Sequence, residues 1–188
     1  MDNTNKAPDF QGIFLKVKGE MPRKISVKAK NFFKEGFAKG GFTDASFQEW
    51  AKSSSPFTRK TMYNKGTLQN SIRSLQESKE RVEVGTELEY AKIHNEGGTI
   101  TVTPKMKKYW WAKYREFAGS VTRTKKGAVS AKGRKANAKA EYCKQMALMK
   151  VGSKIKIPKR QFIGESDTLM KQLNEQFVEG IETQLKED

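Results

Sequence analysis

The sequence has little of the chemistry on which most active sites depend, since it contains one histidine, His94, and one cysteine, Cys143. A single cysteine excludes an intramolecular disulfide and favours synthesis in a reducing cytoplasm. A structural metal site needs several histidine or cysteine ligands at short spacing, and one of each does not supply them. We therefore predict no cofactor and no metal site.

Apolar residues are also scarce. They make up 36% of the chain and charged residues 31%, against an apolar share of about 45–50% in an average globular domain. No run approaches the ~18 apolar residues of a membrane-spanning helix, and the opening MDNTNKAPDFQGIF lacks the features of a signal peptide. We expect a single domain over residues 1–188 with a small core, an N-terminal arm over 1–21, and no membrane partner.

Positive charge, in contrast, is abundant and unevenly placed. The chain has 37 Lys and Arg residues against 21 Asp and Glu residues, a net charge of +16. The stretch from Lys105 to Arg160 holds 18 basic and 2 acidic residues, so it carries the whole net charge. Such a localised field predicts a polyanionic partner or a neighbouring subunit with an acidic face, and a solvated basic loop is the alternative.

Residues 118–150 are predicted to form a basic insertion within the domain. The part from 120 to 142 is rich in Lys, Ala, Gly and Ser, and we expect it not to fold on its own because it has few large apolar residues. A flexible basic arm can follow a nucleic-acid backbone, with non-specific and salt-sensitive binding. The candidate contacts to DNA or to an acidic partner are Arg123, Lys125, Lys126, Lys132, Arg134, Lys135 and Lys139.

Three segments have the apolar spacing of helices. The first is predicted over 22–38, with Pro22 in its first turn and Gly40 after its end. The second covers 105–119, where aromatic residues crowd several sides and need a core, a partner or stacked bases to cover them. The third and clearest covers 167–186, with Ser166 or Asp167 as its cap.

Strand patterns are short and separated by turn residues. We predict a hairpin of residues 70–76 with 80–85, a strand over 99–104 that Pro104 ends, and a kinked strand over 153–164. We expect the connector 42–67 to be pinned onto the core by Phe42, Phe47, Trp50 and Phe57. The order of elements predicts an α+β fold, in which a small, mostly antiparallel sheet is packed by an N-terminal and a C-terminal helix.

The segment EYAKIHNEGGTITVTP, residues 89–104, decides whether the chain is an enzyme. His94 could serve as a base, but no nucleophile accompanies it, and Cys143 has only its basic surroundings to favour a thiolate. The glycine pair has no Lys-Ser/Thr to make a phosphate loop. We predict instead that Tyr90, Ile93 and His94 pack a short helical turn, followed by a turn with positive φ. No catalytic residue is predicted.

Four segments, in order, carry a family resemblance. They are FFKEGFAKGGFTDASFQEW, KGTLQNSI, VGTELEYAKIHNEGGTI and IPKRQFIGES. Together they resemble the phage virion morphogenesis proteins, the tail-completion or head–tail joining group of tailed bacteriophages and prophages. The resemblance extends from about Pro22 to Leu185, except for the basic insertion.

The resemblance implies a virion structural protein without enzymatic activity, cofactor or small-molecule substrate. It implies a homo-oligomeric ring, for example a hexamer, that joins neighbouring neck or tail proteins, in the host cytoplasm during assembly and then at the neck or tail end of the virion. It also implies that the family signature has a structural role. The signature residues are Tyr90, Ala91, Ile93, His94, Gly97, Gly98, Arg160, Phe162 and Gly164.

Two other functions stay open on the sequence alone. The chain can be a stand-alone, non-specific nucleic-acid-binding protein that uses residues 105–160. A hydrolase that uses His94 is the third possibility. The basic insertion has no counterpart in the resemblance, and we expect it to face a DNA channel or an acidic neighbouring ring.

Overall fold

The computed structural model describes residues 7–57 and 60–187. Residues 1–6 of the predicted N-terminal arm lie outside this range. The contacts within the chain divide it into two compact units. Unit 1 comprises Met1–Trp50, Gly66–Ala91 and Gln161–Asp188, and unit 2 comprises Ala51–Lys65 and Lys92–Arg160.

Unit 1 is built on a long helix, α1 (Phe10–Lys39). The prediction that this helix starts at Pro22 is wrong, because Pro22 lies in its interior. The turns before it bury Ile13, Val17 and Met21, and this apolar packing offsets the cost of an interior proline. Its end was predicted correctly, since Gly40 adopts the left-handed conformation with φ 80°.

The apolar partner of α1 is the C-terminal helix α6 (Asp167–Glu187). Phe177, Ile181 and Leu185 of α6 pack against the buried stripe of α1. The Ser166 hydroxyl accepts a hydrogen bond from the Leu169 backbone N–H over 3.1 Å, so the predicted cap is confirmed.

Two hairpins and a short helix complete unit 1. The strands β1 (Gly41–Thr43) and β2 (Phe47–Glu49) pair, as do β3 (Arg73–Glu77) and β4 (Val82–Gly85), and both pairs are antiparallel. The second pair confirms the predicted hairpin with slightly shifted ends. The short helix α2 is Thr67–Asn70.

The chain enters unit 2 within a short helix, α3 (Ala91–Glu96). This helix confirms the predicted helical turn. Two strands of this unit, β5 (Gly98–Thr101) and β6 (Lys154–Ile157), pair antiparallel. Between them lie two helices that pack against each other, α4 (Pro104–Gly119) and α5 (Ala131–Leu148).

Helix α5 differs from the expectation that residues 120–142 form no structure of their own. Its buried face consists of small residues, Gly133, Ala140, Cys143 and Ala147, which let it lie close to its neighbours. Ser130 caps it by accepting a hydrogen bond from the Gly133 N–H over 3.0 Å. The expectation was wrong because it rested on the scarcity of large apolar residues in this segment. Close approach between two helices requires small residues, and this segment has them.

The predicted α+β class is confirmed. The described residues contain six helices and three two-stranded antiparallel sheets, with helices near both ends of the chain. None of the helices in this part of the chain combines the length and the apolar character that crossing a membrane requires.

Candidate functional site

The first and fourth motifs meet in the core of unit 1. Phe37 lies edge-on to Trp50, with ring centroids 5.2 Å apart, and 5.5 Å from Phe162. All three rings are almost completely buried. The Trp50 indole N–H donates a 2.6 Å hydrogen bond to the Gln161 carbonyl, so the tryptophan of the connector is fixed by packing and by a backbone contact.

The second motif, KGTLQNSI, supplies further anchors to unit 1. Leu68 and Ile72 are buried. The Gln69 side-chain amide donates to the Lys34 carbonyl over 2.9 Å, which ties α2 to α1. The Ser71 and Thr86 hydroxyls lie 2.7 Å apart and form a hydrogen bond. Each of these side chains therefore holds one segment of the scaffold to another.

The third and fourth motifs also meet in unit 2, through His94 and Arg160. The Arg160 backbone N–H donates to the His94 carbonyl over 2.8 Å. The Arg160 side chain is only 9% exposed and donates to the carbonyls of Ala51 and Lys52, over 2.7 and 3.4 Å. The Arg160 side chain therefore holds the connector in place with charge-assisted hydrogen bonds, and its backbone N–H ties residue 160 to α3.

The glycine pair after α3 makes a close backbone approach. Gly97 has φ 77°, which favours glycine, and a side chain there would meet the Lys159 backbone nitrogen at 2.9 Å. A side chain on Gly98 would press against Ile93. The predicted turn with positive φ is confirmed, and the pair allows the chain to turn tightly beside residues 157–159.

The remaining signature residues have different environments. Ala91 is buried, whereas Tyr90 is 43% exposed. Gly164 has φ 152° and lies beside the Gln161 side chain. The signatures therefore flank the two points, 91/92 and 160/161, at which the chain passes between the units.

Burial shifts the pKa values of the two residues with catalytic chemistry. Partial burial lowers the pKa of His94, and the nearby Arg160 guanidinium lowers it further, which favours the neutral imidazole. Cys143 is fully buried, and desolvation raises the pKa of its thiol, so the idea of a favoured thiolate is wrong. Residues 7–57 and 60–187 contain no group of three or more His, Cys, Asp or Glu side chains that could hold a metal ion.

The predicted basic insertion overlaps a helical hairpin, which we call the basic hairpin and define as residues 104–148. Phe57 of the connector lies 6.4 Å from Trp110, 5.3 Å from Phe117 and 5.9 Å from Tyr142, measured between ring centroids. The predicted pinning of the connector is thus seen at Phe57. Trp110 packs in this aromatic cluster and is not available to stack on bases.

The seven candidate basic contacts fall into two groups. Arg123 and Arg134 donate to the carbonyls of Gly127 and Val129, over 2.9 and 3.4 Å, and shape the tip of the hairpin. The Lys139 ammonium lies over the rings of Phe57 and Phe117, 5.6 and 5.4 Å from their centroids. Within the described residues the other four make no such contact and are exposed, as Arg123 and Arg134 also are. They are Lys125, Lys126, Lys132 and Lys135.

A further basic surface was not singled out from the sequence. Lys105, Lys108 and Arg115 are exposed and share one face of α4 with the exposed ring of Tyr109. This face could have been predicted from the sequence, because these residues have helical spacing within the predicted helix 105–119.

Charge also separates by unit. Unit 1 contains 14 basic and 18 acidic residues, a net charge of −4. Unit 2 contains 23 basic and 3 acidic residues, a net charge of +20. The excess of positive charge in the chain is thus confined to one compact unit.

Comparison with known protein families identifies the family to which these motifs belong. The model of the phage virion morphogenesis family matches residues 30–182. The chain belongs to the phage virion morphogenesis family. The matched span begins within α1, ends within α6 and includes all four motifs. A search of curated proteins finds no significant match, and neither does a search of solved structures. Family membership indicates a structural or assembly role in the phage particle.

Proposed function

We propose that this chain is a non-catalytic virion subunit that acts in tail completion or head–tail joining, as part of a ring at the neck or tail end. One observation carries the proposal: the family motifs are used in packing and in hydrogen bonds to backbone groups. Arg160 and Phe162 are buried, and His94 offers its carbonyl to Arg160. Because these motif residues maintain the fold, we propose that the protein acts through surface contacts with other proteins.

The partners that we propose are other copies of this chain and the adjacent neck or tail proteins. The basic hairpin supplies an exposed, positively charged surface, and its exposed lysines suit DNA or an acidic neighbouring protein. The subunit would then work by complementary shape and charge, without a small-molecule substrate.

The test is a phage or prophage in which this gene is disrupted. We expect electron micrographs to show filled heads and tails that are not joined, or tails with aberrant ends, and infectivity to fall by orders of magnitude. Adding the purified chain to the defective lysate should restore joined particles. Normal infectious particles from the disrupted phage would refute the proposed role.

The net charge of +20 in unit 2 favours a second candidate, a stand-alone nucleic-acid-binding protein. This candidate predicts tight, salt-sensitive binding of duplex DNA by the isolated monomer. It also predicts that disrupting the gene leaves particle morphology unchanged. The two candidates therefore separate in the same pair of experiments.

A further inference from the structure

Helix α6 presents an acidic and apolar face that no other part of unit 1 covers. One shallow groove along its outer side is lined by four carboxylates, two apolar side chains, an amide and one cation. They are Asp167, Glu175, Glu179 and Glu182, then Met170 and Val178, then Asn174 and Lys171. Met170 is 56% exposed and Val178 is 52% exposed. We call this surface the acidic face. Because large apolar side chains seldom lie exposed in a row with charges on both sides, the face has the character of an interface.

Helix α4 presents a face of opposite sign. Lys105, Lys108, Tyr109, Ala112 and Arg115 are exposed and follow one another at helical spacing. Tyr109, in the middle of the row, is 53% exposed. We call this surface the basic face. The one acidic residue beside it, Glu116, is already paired with Lys113 over 2.7 Å.

The two faces match in chemistry, and the basic face fits within the length of the acidic face. The acidic face extends from residue 167 to 182, roughly 24 Å at 1.5 Å per residue, and the basic face extends from residue 105 to 115, roughly 17 Å. Each has apolar groups between its charges, Met170 and Val178 on one side and Tyr109 on the other. We propose that the acidic face of one copy docks onto the basic face of a second copy.

Charge decides between the conceivable occupants of the acidic face. A nucleic acid would be repelled by Glu175, Glu179 and Glu182. A second copy brings a unit of net charge +20 to a unit of net charge −4. Opposite potentials of this kind steer association and fix its orientation. The occupant that fits the observations is therefore another molecule of the same chain.

The contact joins two different faces, so it is heterologous. In a pair of copies, one copy keeps an unused basic face and the other keeps an unused acidic face, so copies add head to tail until the rotation between them closes a ring. This inference rests on the proposed function, because it names the contact by which the proposed ring would form.

Charge reversal on each face tests the contact. Variant A carries Glu175→Lys, Glu179→Lys and Glu182→Lys, and variant B carries Lys105→Glu, Lys108→Glu and Arg115→Glu. In sedimentation velocity at about 50 mM salt, we expect the wild-type chain to associate and each variant alone to associate at least about tenfold more weakly. An equimolar mixture of A and B should recover association, because each reversed face then meets its complement.

A matched control distinguishes the effect of the acidic face from the effect of the net charge of the chain. Glu49, Glu77 and Glu89 are exposed acidic residues of unit 1 outside α6. Changing all three to Lys alters the net charge as much as variant A does, and association should persist. Circular dichroism of every variant verifies folding, and recovery in the mixture excludes misfolding as the cause of the loss.

The outcomes also separate this inference from the proposed function. Wild-type association that A and B leave unchanged would overturn the docking contact, while a ring built through other faces would still stand. A wild-type chain that stays monomeric at low salt and high concentration would overturn both the contact and self-assembly. Loss of duplex DNA binding in B, with unchanged association of A, would assign the basic face to nucleic acid and overturn the contact.

Discussion

At the scale of single residues, the signature side chains Phe162 and Arg160 are buried, one in aromatic packing and the other in hydrogen bonds. Arg160 is a buried cation whose side chain is held by the carbonyls of Ala51 and Lys52. Burial of a charge is costly unless its donors are satisfied, so the connector and Arg160 depend on each other. His94 lies next to this cation, and the same positive charge disfavours protonation of the imidazole.

His94 should therefore make the fold sensitive to acid. Its pKa is lowered below the ordinary 6.5 in the folded protein, while the unfolded chain keeps the ordinary value. The unfolded chain then binds the proton first as the pH falls, so stability is lost as the pH drops below about 6.5 and is unaffected by His94 above about pH 7. Urea midpoints at pH 7.5 and 5.5 should diverge more for the wild type than for His94→Gln. Equal pH dependence in the two proteins would contradict this.

At the scale of elements, helices α1 and α5 illustrate two kinds of packing. Helix α1 buries large side chains against α6, and the apolar spacing of its second half was visible in the sequence. Helix α5 buries Gly133, Ala140 and Cys143. Because these residues are small, the sequence of α5 shows no periodic pattern of large apolar residues. The start of α1 and the part of α5 before residue 143 were missed because tertiary contacts, rather than local propensity, stabilise them.

Alanine at Gly133 should weaken the basic hairpin. A Cβ there would collide with the Thr122 carbonyl oxygen and with Val129, so we expect a loss of about 1–3 kcal/mol in the free energy of unfolding. Gly19, inside α1, has open space around it, and Gly19→Ala should instead stabilise the protein by about 0.5–1 kcal/mol. Chemical denaturation of both variants checks the pair. A stabilising Gly133→Ala would contradict the close approach.

At the scale of the whole molecule, charge is divided between the two compact units. Unit 2 has 23 basic residues, but several of them are committed to structure, among them Arg123, Arg134, Lys139 and Arg160. The lysines left at the tip and the first turns of α5 are exposed. A polyanion would contact these side chains. Because they hold no other part of the described structure in place, substituting them should change polyanion binding without unfolding the protein.

Neutralising the four exposed lysines should change the salt dependence of duplex DNA binding. Replacing Lys125, Lys126, Lys132 and Lys135 with Gln should reduce the magnitude of the slope of log K against log salt by about 3–4. Each lost phosphate contact is expected to reduce it by about 0.9. The control replaces four exposed lysines of unit 1 and should leave the slope nearly unchanged. These are Lys16, Lys18, Lys79 and Lys171. An equal effect of both sets would show that only the overall charge matters.

The sequence by itself determined the α+β class, the family, the helix from 167, the turn at Gly97 and the place of the positive charge. Each of these is recorded locally, in the spacing of large apolar residues, in a glycine that a turn requires, or in a run of lysines. Only the tertiary structure decided that α1 begins at Phe10, that α5 forms, and that Arg160 turns inward while Lys139 lies over aromatic rings. Those outcomes depend on groups far apart in the chain, whose close packing and hydrogen bonds leave no mark in any short stretch of sequence.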